Sequence, residues 1–302
     1  MAGVRFEEPH RQRLHEIVFN HGTHRIHGTQ KGWPETLSVY SVYSVVVIPR
    51  LMKHLAILLL ALCPLLFASA ADRPAHLFIL TGQSNMAGMD PKLGFEPEAK
   101  IAFPDADVAY IKVAVGGMPI RYWVDEWNDI ATKHGVDVAK AREKDKSKGT
   151  IFYPRILEQF AALLKEHPNV KSVTFCWMQG ENDSKTGLHA PYADALKQLI
   201  ANLRRDLKQP NMHVVIGRIS DHDRINPPAW KVVRDSQVEV AKADPHGAWV
   251  DCDDLNDKEI KGVMTQDLHY TKPGYELLGR RFVRQAKALI EGRKPAENGR
   301  PE

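Results

Sequence analysis

The sequence contains four short motifs that are polar or rich in glycine. Each either follows a run of residues typical of a buried strand or lies in a loop expected at the edge of a sheet. The first, residues 82–88 (GQSNMAG), comes directly after the apolar run 75–81. A serine at a strand-to-helix turn exposes its hydroxyl above the sheet, and its backbone N–H can stabilise an oxyanion. Ser84 is therefore a candidate nucleophile, although a serine there can equally cap a helix.

A second motif contains the candidate general base. Residues 267–270 (DLHY) precede the last segment with helical spacing. A histidine in that loop would lie at the carboxyl edge of the sheet, on the same side as Ser84, and could take the proton of the serine. A single histidine is more often structural, so the prediction for His269 depends on the motifs occurring together.

The remaining two motifs could supply stabilising groups. Residues 115–121 (VGGMPIR) either present a free backbone N–H at Gly117 or simply form a turn. Residues 177–183 (WMQGEND) place Gln179 and Glu181 at the end of another predicted strand. These polar residues could take part in the chemistry of the site or could simply form a turn. Four such motifs at predicted strand ends or sheet-edge loops are unlikely to coincide by chance.

The elements that would position these motifs alternate along the chain. Apolar or β-branched runs predict strands, and segments between them show helical spacing of apolar residues. Such alternation predicts an α/β fold, a three-layer α/β/α sandwich with a mostly parallel, roughly five-stranded sheet. The predicted strands are 75–81, 108–115, 172–178, 213–219 and 248–252.

Three stretches do not fit this alternation. Residues 91–107 and 125–150 are expected to be long loops at strand ends, where ligands bind in open α/β sheets. The end of the chain, 292–302, contains two prolines and is expected to be disordered. The domain that contains the four motifs is therefore predicted to span 71–291.

Composition excludes several function classes. The chain has 302 residues, 26% of them charged, and a net charge of +4. No basic stretch is interleaved with aromatic residues, so a nucleic-acid partner is not expected. No Cys/His cluster has the spacing of a metal site, and no metal or organic cofactor is implied. The sequence leaves the oligomeric state open.

An internal segment resembles a secretory signal peptide. A basic start at Met52 precedes the apolar run 55–66 and the ending Ala68-Ser69-Ala70. This predicts a signal peptide over 52–70, export to the periplasm or the medium, and no stable membrane span after cleavage. Residues 1–51 are then interpreted as an over-extended gene-model leader. Alternatively, residues 1–51 are a long N-terminal region of the signal peptide itself, or the cytoplasmic tail of a membrane-anchored protein.

Export bears on the two cysteines that remain after cleavage. Cys176 and Cys252 both lie in or at the end of strand-like runs. A disulfide between them and two buried free thiols are both compatible with the sequence.

Together the motifs resemble those of the SGNH hydrolases, within them the sialate O-acetylesterase and family 6 carbohydrate-esterase group, which is acetylxylan esterase-like. Residues 82–86 resemble its nucleophile block, and residues 177–183 resemble its third block. The resemblance runs from about residue 75 to 288. The other matching residues are Gly116, Gly117, Ile120 and Trp123 in the second block, and Asp267, His269, Gly274 and Gly279 in the last.

This resemblance implies an SGNH/flavodoxin-like fold and a serine esterase that removes O-acetyl groups from carbohydrate. Ser84 would be the nucleophile and His269 the base. The oxyanion hole would consist of the backbone N–H groups of Ser84 and Gly117 and the side-chain amide of Gln179. The expected substrate-binding residues are Gln83, Asn85, Arg121 and Trp123. Trp123, Trp127 and Tyr270 could stack on sugar rings or belong to the core.

One position departs from the family pattern. Most SGNH enzymes have an acid three residues before the histidine, where this chain has Gln266. Either Glu181, which is slightly favoured, or Asp267 would then orient His269, or the site would work as a dyad. An esterase acting on non-carbohydrate esters and a non-catalytic carbohydrate-binding protein are the alternatives.

Overall fold

A parallel sheet carries the predicted site. The computed structural model describes residues 73–145, 147, 149–222 and 224–302, so the predicted leader and signal peptide, 1–70, lie outside the described residues. Neighbouring strands run parallel in the order β2-β1-β3-β4-β5. The strands are β1 (Ala75–Gly82), β2 (Asp107–Ala114), β3 (Val170–Met178), β4 (His213–Gly217) and β5 (Gly247–Val250). The fold class and all five strands were predicted, and the structure confirms them.

Helices cover both faces of this sheet. Consecutive residues of β1, Leu77 to Leu80, are fully buried. Because alternate side chains of a strand point to opposite faces, both faces must be covered. The helices of the described residues are α1 (Ser84–Gly88), α2 (Phe95–Ala102), α3 (Trp127–Lys133), α4 (Val138–Ala141), α5 (Tyr153–Glu166), α6 (Glu181–Lys185), α7 (Tyr192–Asp206), α8 (Pro227–Ala243) and α9 (Lys272–Ile290), with a 3-10 turn at Ile120–Tyr122.

The two expected loops contain short helices. Helix α2 lies within 91–107, and α3 and α4 lie within 125–150. Helix α2 packs on α9, and its Phe95 is fully buried against Phe78 of β1. These stretches are therefore structured covers of the sheet rather than open loops.

A small antiparallel hairpin precedes the histidine loop. It consists of β6 (Asp257–Ile260) and β7 (Val263–Gln266). The side chains of Ile260, Val263 and Met264 are more than half exposed. The sequence analysis assigned no structure to this hairpin.

The end of the chain differs from the expected disorder. The Gly299 carbonyl accepts a hydrogen bond from the Asp251 N–H (2.8 Å), and Arg300 forms an ion pair with Asp251 (2.9 Å). Gln285 also exchanges hydrogen bonds with the backbone of Ala296. These contacts attach residues 296–300 to the end of β5 and to α9.

Cys176 and Cys252 are both buried free thiols. Burial raises the pKa of each thiol well above its ordinary value. The sequence allowed either a disulfide or two free thiols, and in the structure both thiols are free. Among the described residues, no helix is long and apolar enough to cross a membrane.

Candidate active site

Ser84 stands at the turn that leaves the carboxyl end of β1. The Gln83 N–H donates to the Met178 carbonyl at the end of β3 (2.9 Å), and α1 begins at Ser84. Gly82 has φ +150°, and a Cβ there would lie 1.9 Å from the Met178 oxygen. Only glycine lets the two strand ends approach so closely. The turn therefore fixes Ser84, half-buried, above the edge of the sheet.

The segment that follows β2 lies beside the serine. A Cβ built on Gly116 would be 3.6 Å from Ser84 Cβ, so this glycine keeps space open next to the nucleophile. Gly117 has φ +71°, in the left-handed region that favours glycine. The second motif thus brings its backbone, rather than a side chain, to the serine.

Asn85 connects the nucleophile turn to the third and last motifs. Its Nδ2 donates to Glu181 Oε1 (2.8 Å) and to the Leu268 carbonyl (3.1 Å), and its Oδ1 accepts from the Tyr270 N–H (3.3 Å). Leu268 and Tyr270 flank His269, so Asn85 holds the backbone on both sides of the histidine. Asn85 is buried and fully engaged, which makes it a positioning residue rather than the predicted substrate contact.

Gln83 and Asp183 fix the loop that follows β3. Gln83 Oε1 accepts from the Asn182 N–H (3.2 Å), and Asp183 Oδ2 accepts from Gln179 Nε2 (2.6 Å) and from the Ile120 N–H (3.0 Å). The Gln179 amide therefore points into the protein, where it is completely buried. Asp183 thus engages the Gln179 amide, and the role of Gln179 in the oxyanion hole stays a prediction.

Asn182, also in the third motif, lines the cavity that contains Ser84. Its Nδ2 donates to the Gly117 carbonyl over 2.7 Å, which joins the third motif to the second. An amide nitrogen has two hydrogens, and this bond uses one of them. The second hydrogen is available to a ligand in the cavity beside Ser84, which Asn182 lines.

Ser84 and His269 line the same cavity, of about 340 Å³, at the carboxyl edge of the sheet. We call it the serine cavity. Its remaining lining residues are Gln83, Gly116, Gly117, Glu181, Asn182, Lys185, Ile225, Trp230 and Leu268. A larger cavity of about 630 Å³ lies beside α2 and β2, but none of the predicted site residues lines it. The predicted nucleophile, base and oxyanion glycine thus meet in one place.

The two candidate carboxylates are engaged elsewhere. Asp267 forms an ion pair with Lys258 (2.5 Å), and its carboxylate also accepts the backbone N–H groups of Leu268 and His269. Glu181 accepts from Asn85 through Oε1, while its buried Oε2 has no hydrogen-bond partner among the described residues. Among the described residues, neither carboxylate is hydrogen-bonded to the His269 ring, which is exposed.

Burial changes the charge of the acids at the centre of the site. It raises the pKa of Glu181 to about 7, against the hydrogen bonds that the carboxylate accepts. It raises the pKa of Asp183 to about 6 in the same way. The hydrogen bond from Lys258 instead lowers the pKa of Asp267. Both buried carboxyl groups are therefore easier to protonate than a carboxyl group in water.

Two predicted substrate contacts lie in the core. Trp123 is fully buried, donates to Thr81 Oγ1 (3.0 Å) and packs on Phe152 (4.4 Å between ring centroids). Arg121 is buried and forms a two-point ion pair with Asp145 (2.7 and 2.8 Å). Neither lines the serine cavity, so the structure gives the substrate-binding predictions for these two residues no support. Trp127 and Tyr270 are likewise core residues.

The sequence analysis missed Asn182, Lys185, Ile225 and Trp230 as cavity residues. Asn182 stood inside the third motif and was passed over for Gln179. Ile225 and Trp230 lie in and after the loop that follows β4, where the sequence shows no motif. Among the described residues, no group of three or more His, Cys, Asp or Glu side chains could hold a metal ion.

Comparison with protein families gives one match. The model of the family described as carbohydrate esterase, sialic acid-specific acetylesterase matches residues 87–288. This segment contains Gly117, Glu181, Asn182 and His269, and it begins three residues after Ser84. No curated protein matches the chain.

Solved structures show the same fold at low sequence identity. A protein from Arabidopsis thaliana is 19% identical, with a TM-score of 0.50 over 72% of this chain and 98% of that chain. A carbohydrate acetylesterase from Xanthomonas citri is 19% identical, with a TM-score of 0.46 over 66% of this chain and 40% of that chain. NanS is 13% identical, with a TM-score of 0.49 over 73% of this chain and 98% of that chain.

Proposed function

Because the chain belongs to the carbohydrate-esterase family of sialic acid-specific acetylesterases, we propose that it removes acetyl groups through an acyl-enzyme formed on Ser84. Family membership makes the protein a carboxylic ester hydrolase that acts on acetylated carbohydrate. The observation that carries the proposed mechanism is the meeting of Ser84, His269, Gly117 and Asn182 around one cavity.

The reaction begins with attack by the serine. His269 takes the proton from Ser84 Oγ, and the oxygen adds to the acetyl carbonyl. The oxyanion accepts hydrogen bonds from the backbone N–H groups of Ser84 and Gly117 and from Asn182 Nδ2. Collapse of this intermediate breaks the ester bond, and His269 returns the proton to the departing sugar oxygen.

Hydrolysis of the acetyl-enzyme completes the cycle. His269 takes a proton from water, the resulting hydroxide attacks the acetyl carbon, and acetate leaves as the proton returns to Ser84. Among the described residues neither Glu181 nor Asp267 is hydrogen-bonded to the His269 ring, so we assign the proton transfers to a Ser84–His269 dyad. Asn85 positions the histidine through the backbone on either side of it.

The test is hydrolysis of p-nitrophenyl acetate, acetylated xylan and 9-O-acetylated sialic acid by the wild type and Ser84→Ala. We expect activity on the small ester and on one carbohydrate, lost in the variant. Activity that persists in a folded Ser84→Ala protein would overturn the assignment of the nucleophile. Activity on the small ester alone would overturn the carbohydrate substrate.

Labelling with a serine-reactive organophosphonate separates an enzyme from a binding protein of the same fold. We expect one phosphonyl adduct, located on Ser84 by peptide mass mapping. A folded protein that neither reacts nor hydrolyses any of the three esters would be a binding protein.

We also propose that the protein is exported after cleavage behind Ala70. The support is the basic, apolar and small-residue order of residues 52–70. Mass mapping of the natural protein should find an N-terminus at Ala71. Peptides from before Met52 would contradict both the cleavage and the interpretation of 1–51 as a gene-model leader.

A further inference from the structure

A second cavity, of about 410 Å³, adjoins the serine cavity. We call it the proline cavity. It is lined by Asp221, Pro227, Pro228, Trp230, Lys231 and Arg234. Trp230 lines both cavities, and Ile225, two residues before Pro227, lines the serine cavity. The continuous segment from Ile225 to Trp230 therefore contributes to the walls of both the serine cavity and the proline cavity.

The walls of the proline cavity combine apolar and polar groups. Pro227 and Pro228 begin α8 and present rigid apolar rings. Asp221 lines the cavity, and its Oδ2 accepts from Gln266 Nε2 (2.6 Å). A carboxylate oxygen can accept more than one hydrogen bond. The Asp221 carboxylate could therefore also accept a hydrogen bond from a ligand hydroxyl.

The charges of the cavity largely cancel. Arg234 is paired with Asp253 (2.7 and 2.9 Å) and donates to the Ile219 carbonyl (2.6 Å). Lys231 is exposed and pairs with Asp235. Burial, and then the charge of Asp253, raises the pKa of Asp221. A space without strong net charge, with apolar rings and hydroxyl acceptors, suits a neutral sugar better than an anion.

Hydrogen bonds attach the proline cavity to the catalytic loop. Asp221 is bonded to Gln266, which precedes His269 by three residues. Trp230 Nε1 donates to the Ser220 carbonyl (2.7 Å), next to Asp221. Ligand groups in the serine cavity and in the proline cavity would therefore contact loops that are hydrogen-bonded to each other.

We propose that the proline cavity is a subsite for the sugar unit next to the acetylated one. The inference rests on the proposed function and extends it, because the preferred substrate becomes an acetylated oligosaccharide rather than a monosaccharide. Both cavities lie at the lower end of the range of about 300–1,000 Å³ found for small-molecule sites, as expected if each holds one ring.

The test compares the kcat/KM of a monosaccharide and a disaccharide. The probes are peracetylated xylose with peracetylated xylobiose, 9-O-acetylated sialic acid with its lactose glycoside, and p-nitrophenyl acetate as a small ester. In the series that the enzyme hydrolyses, we expect the disaccharide to have the higher kcat/KM per acetyl group. Asp221→Asn should reduce this preference by about fivefold or more, the effect of one lost hydrogen bond.

Matched variants keep the test decisive. Glu239→Gln makes the same kind of change on an exposed face of α8 that lines neither cavity, and it should keep the wild-type preference. If Asp221→Asn does not fold, Lys231→Ala, at an exposed position of the cavity wall, should lower the preference instead. Thermal unfolding checks that each variant is folded.

The outcomes separate the two proposals. Equal kcat/KM for the monosaccharide and the disaccharide, or a preference unchanged in the cavity variants, would overturn the subsite and leave the esterase intact. Hydrolysis of p-nitrophenyl acetate without hydrolysis of any sugar would overturn the carbohydrate substrate and the subsite together. Absence of all hydrolysis in a folded protein would overturn the proposed function itself.

Discussion

The side chain of Asn182 donates a 2.7 Å hydrogen bond to the backbone carbonyl of Gly117. This bond joins the end of the loop after β2 to the start of α6, the two segments that face each other across the serine cavity. The bond fixes the orientation of the Asn182 amide and restrains the backbone that follows Gly117. The proposed amide donor is therefore oriented before substrate binds, which is the condition for strong electrostatic stabilisation.

Asn182→Ala should lower kcat on p-nitrophenyl acetate by about 10²–10³-fold, the usual effect of losing one oxyanion donor. KM should change little, because the lost bond strengthens only as charge develops on the oxygen. Steady-state kinetics measure both parameters. Asn211→Ala, at an exposed turn before β4, is the matched control. Wild-type kcat in Asn182→Ala would exclude this residue as a donor.

Glu181→Gln should become more stable relative to the wild type as the pH rises. The pKa of Glu181 is about 7 in the folded protein and near 4.5 in the unfolded chain. As the pH rises from 4.5 to 7, the Glu181 carboxyl group ionises in the unfolded chain before it does so in the folded protein. The free energy of unfolding of the wild type therefore decreases over this range, by up to about 3 kcal/mol above pH 7. Glutamine does not titrate and keeps an oxygen for the bond from Asn85.

Urea unfolding of the wild type and Glu181→Gln at pH 4.5 and pH 8 measures this difference. Glu239→Gln, at an exposed site, should show no such dependence on pH. A difference in unfolding free energy between wild type and Glu181→Gln that is the same at both pH values would show that Glu181 titrates normally.

His213 should make the protein less stable as the pH falls. Burial, followed by the charges of His246, Arg204 and His76, lowers the pKa of His213 to about 4, while Asp244 acts in the opposite sense. The unfolded chain binds the proton near pH 6.5, so stability declines between about pH 6.5 and 4. Because the ring is partly exposed, solvent screening limits the loss to about 1 kcal/mol.

His213→Gln should flatten this part of the stability profile, measured by urea unfolding from pH 7 to pH 4. His167→Gln is a control at another half-buried histidine. If the slope of His213→Gln equals that of the wild type, His213 does not carry the effect.

The strands could be predicted closely because each is an apolar or β-branched run, and such runs need burial between two helical layers. Helix α2 was missed because residues 91–107 do not fit the alternation of strand-like runs and helical segments, and a loop was expected there. Pro97 falls in the first turn of α2, where its absent N–H has no partner to lose. The hairpin β6–β7 was missed because its exposed side chains leave no alternating pattern.

That Ser84 and His269 line one cavity could be predicted because parallel strands end at one edge of a sheet. Their neighbours could not, since a polar residue in a tight loop can face either way. Gln179 and Asn182 are three residues apart in one motif, yet Gln179 Nε2 is bonded to Asp183 and Met118 in the interior, whereas Asn182 lines the serine cavity. The burial of Trp123 likewise depends on Phe152 and Trp177, which are distant in sequence.

Gly82→Ala should destabilise the protein by about 3 kcal/mol or more, because its Cβ would meet the Met178 carbonyl and the backbone conformation is strained for any side chain. Gly135→Ala separates the two causes. Gly135 also has a positive φ, but a Cβ there would meet nothing within 4 Å, so only a conformational cost of about 1 kcal/mol is expected. Urea unfolding compares the two variants.

Since Gly82 also sets the turn that carries Ser84, the folded fraction of Gly82→Ala should lose esterase activity, whereas Gly135→Ala should keep it. Equal destabilisation by both substitutions would mean that the close approach of β1 and β3 at Gly82 is not what fixes the nucleophile.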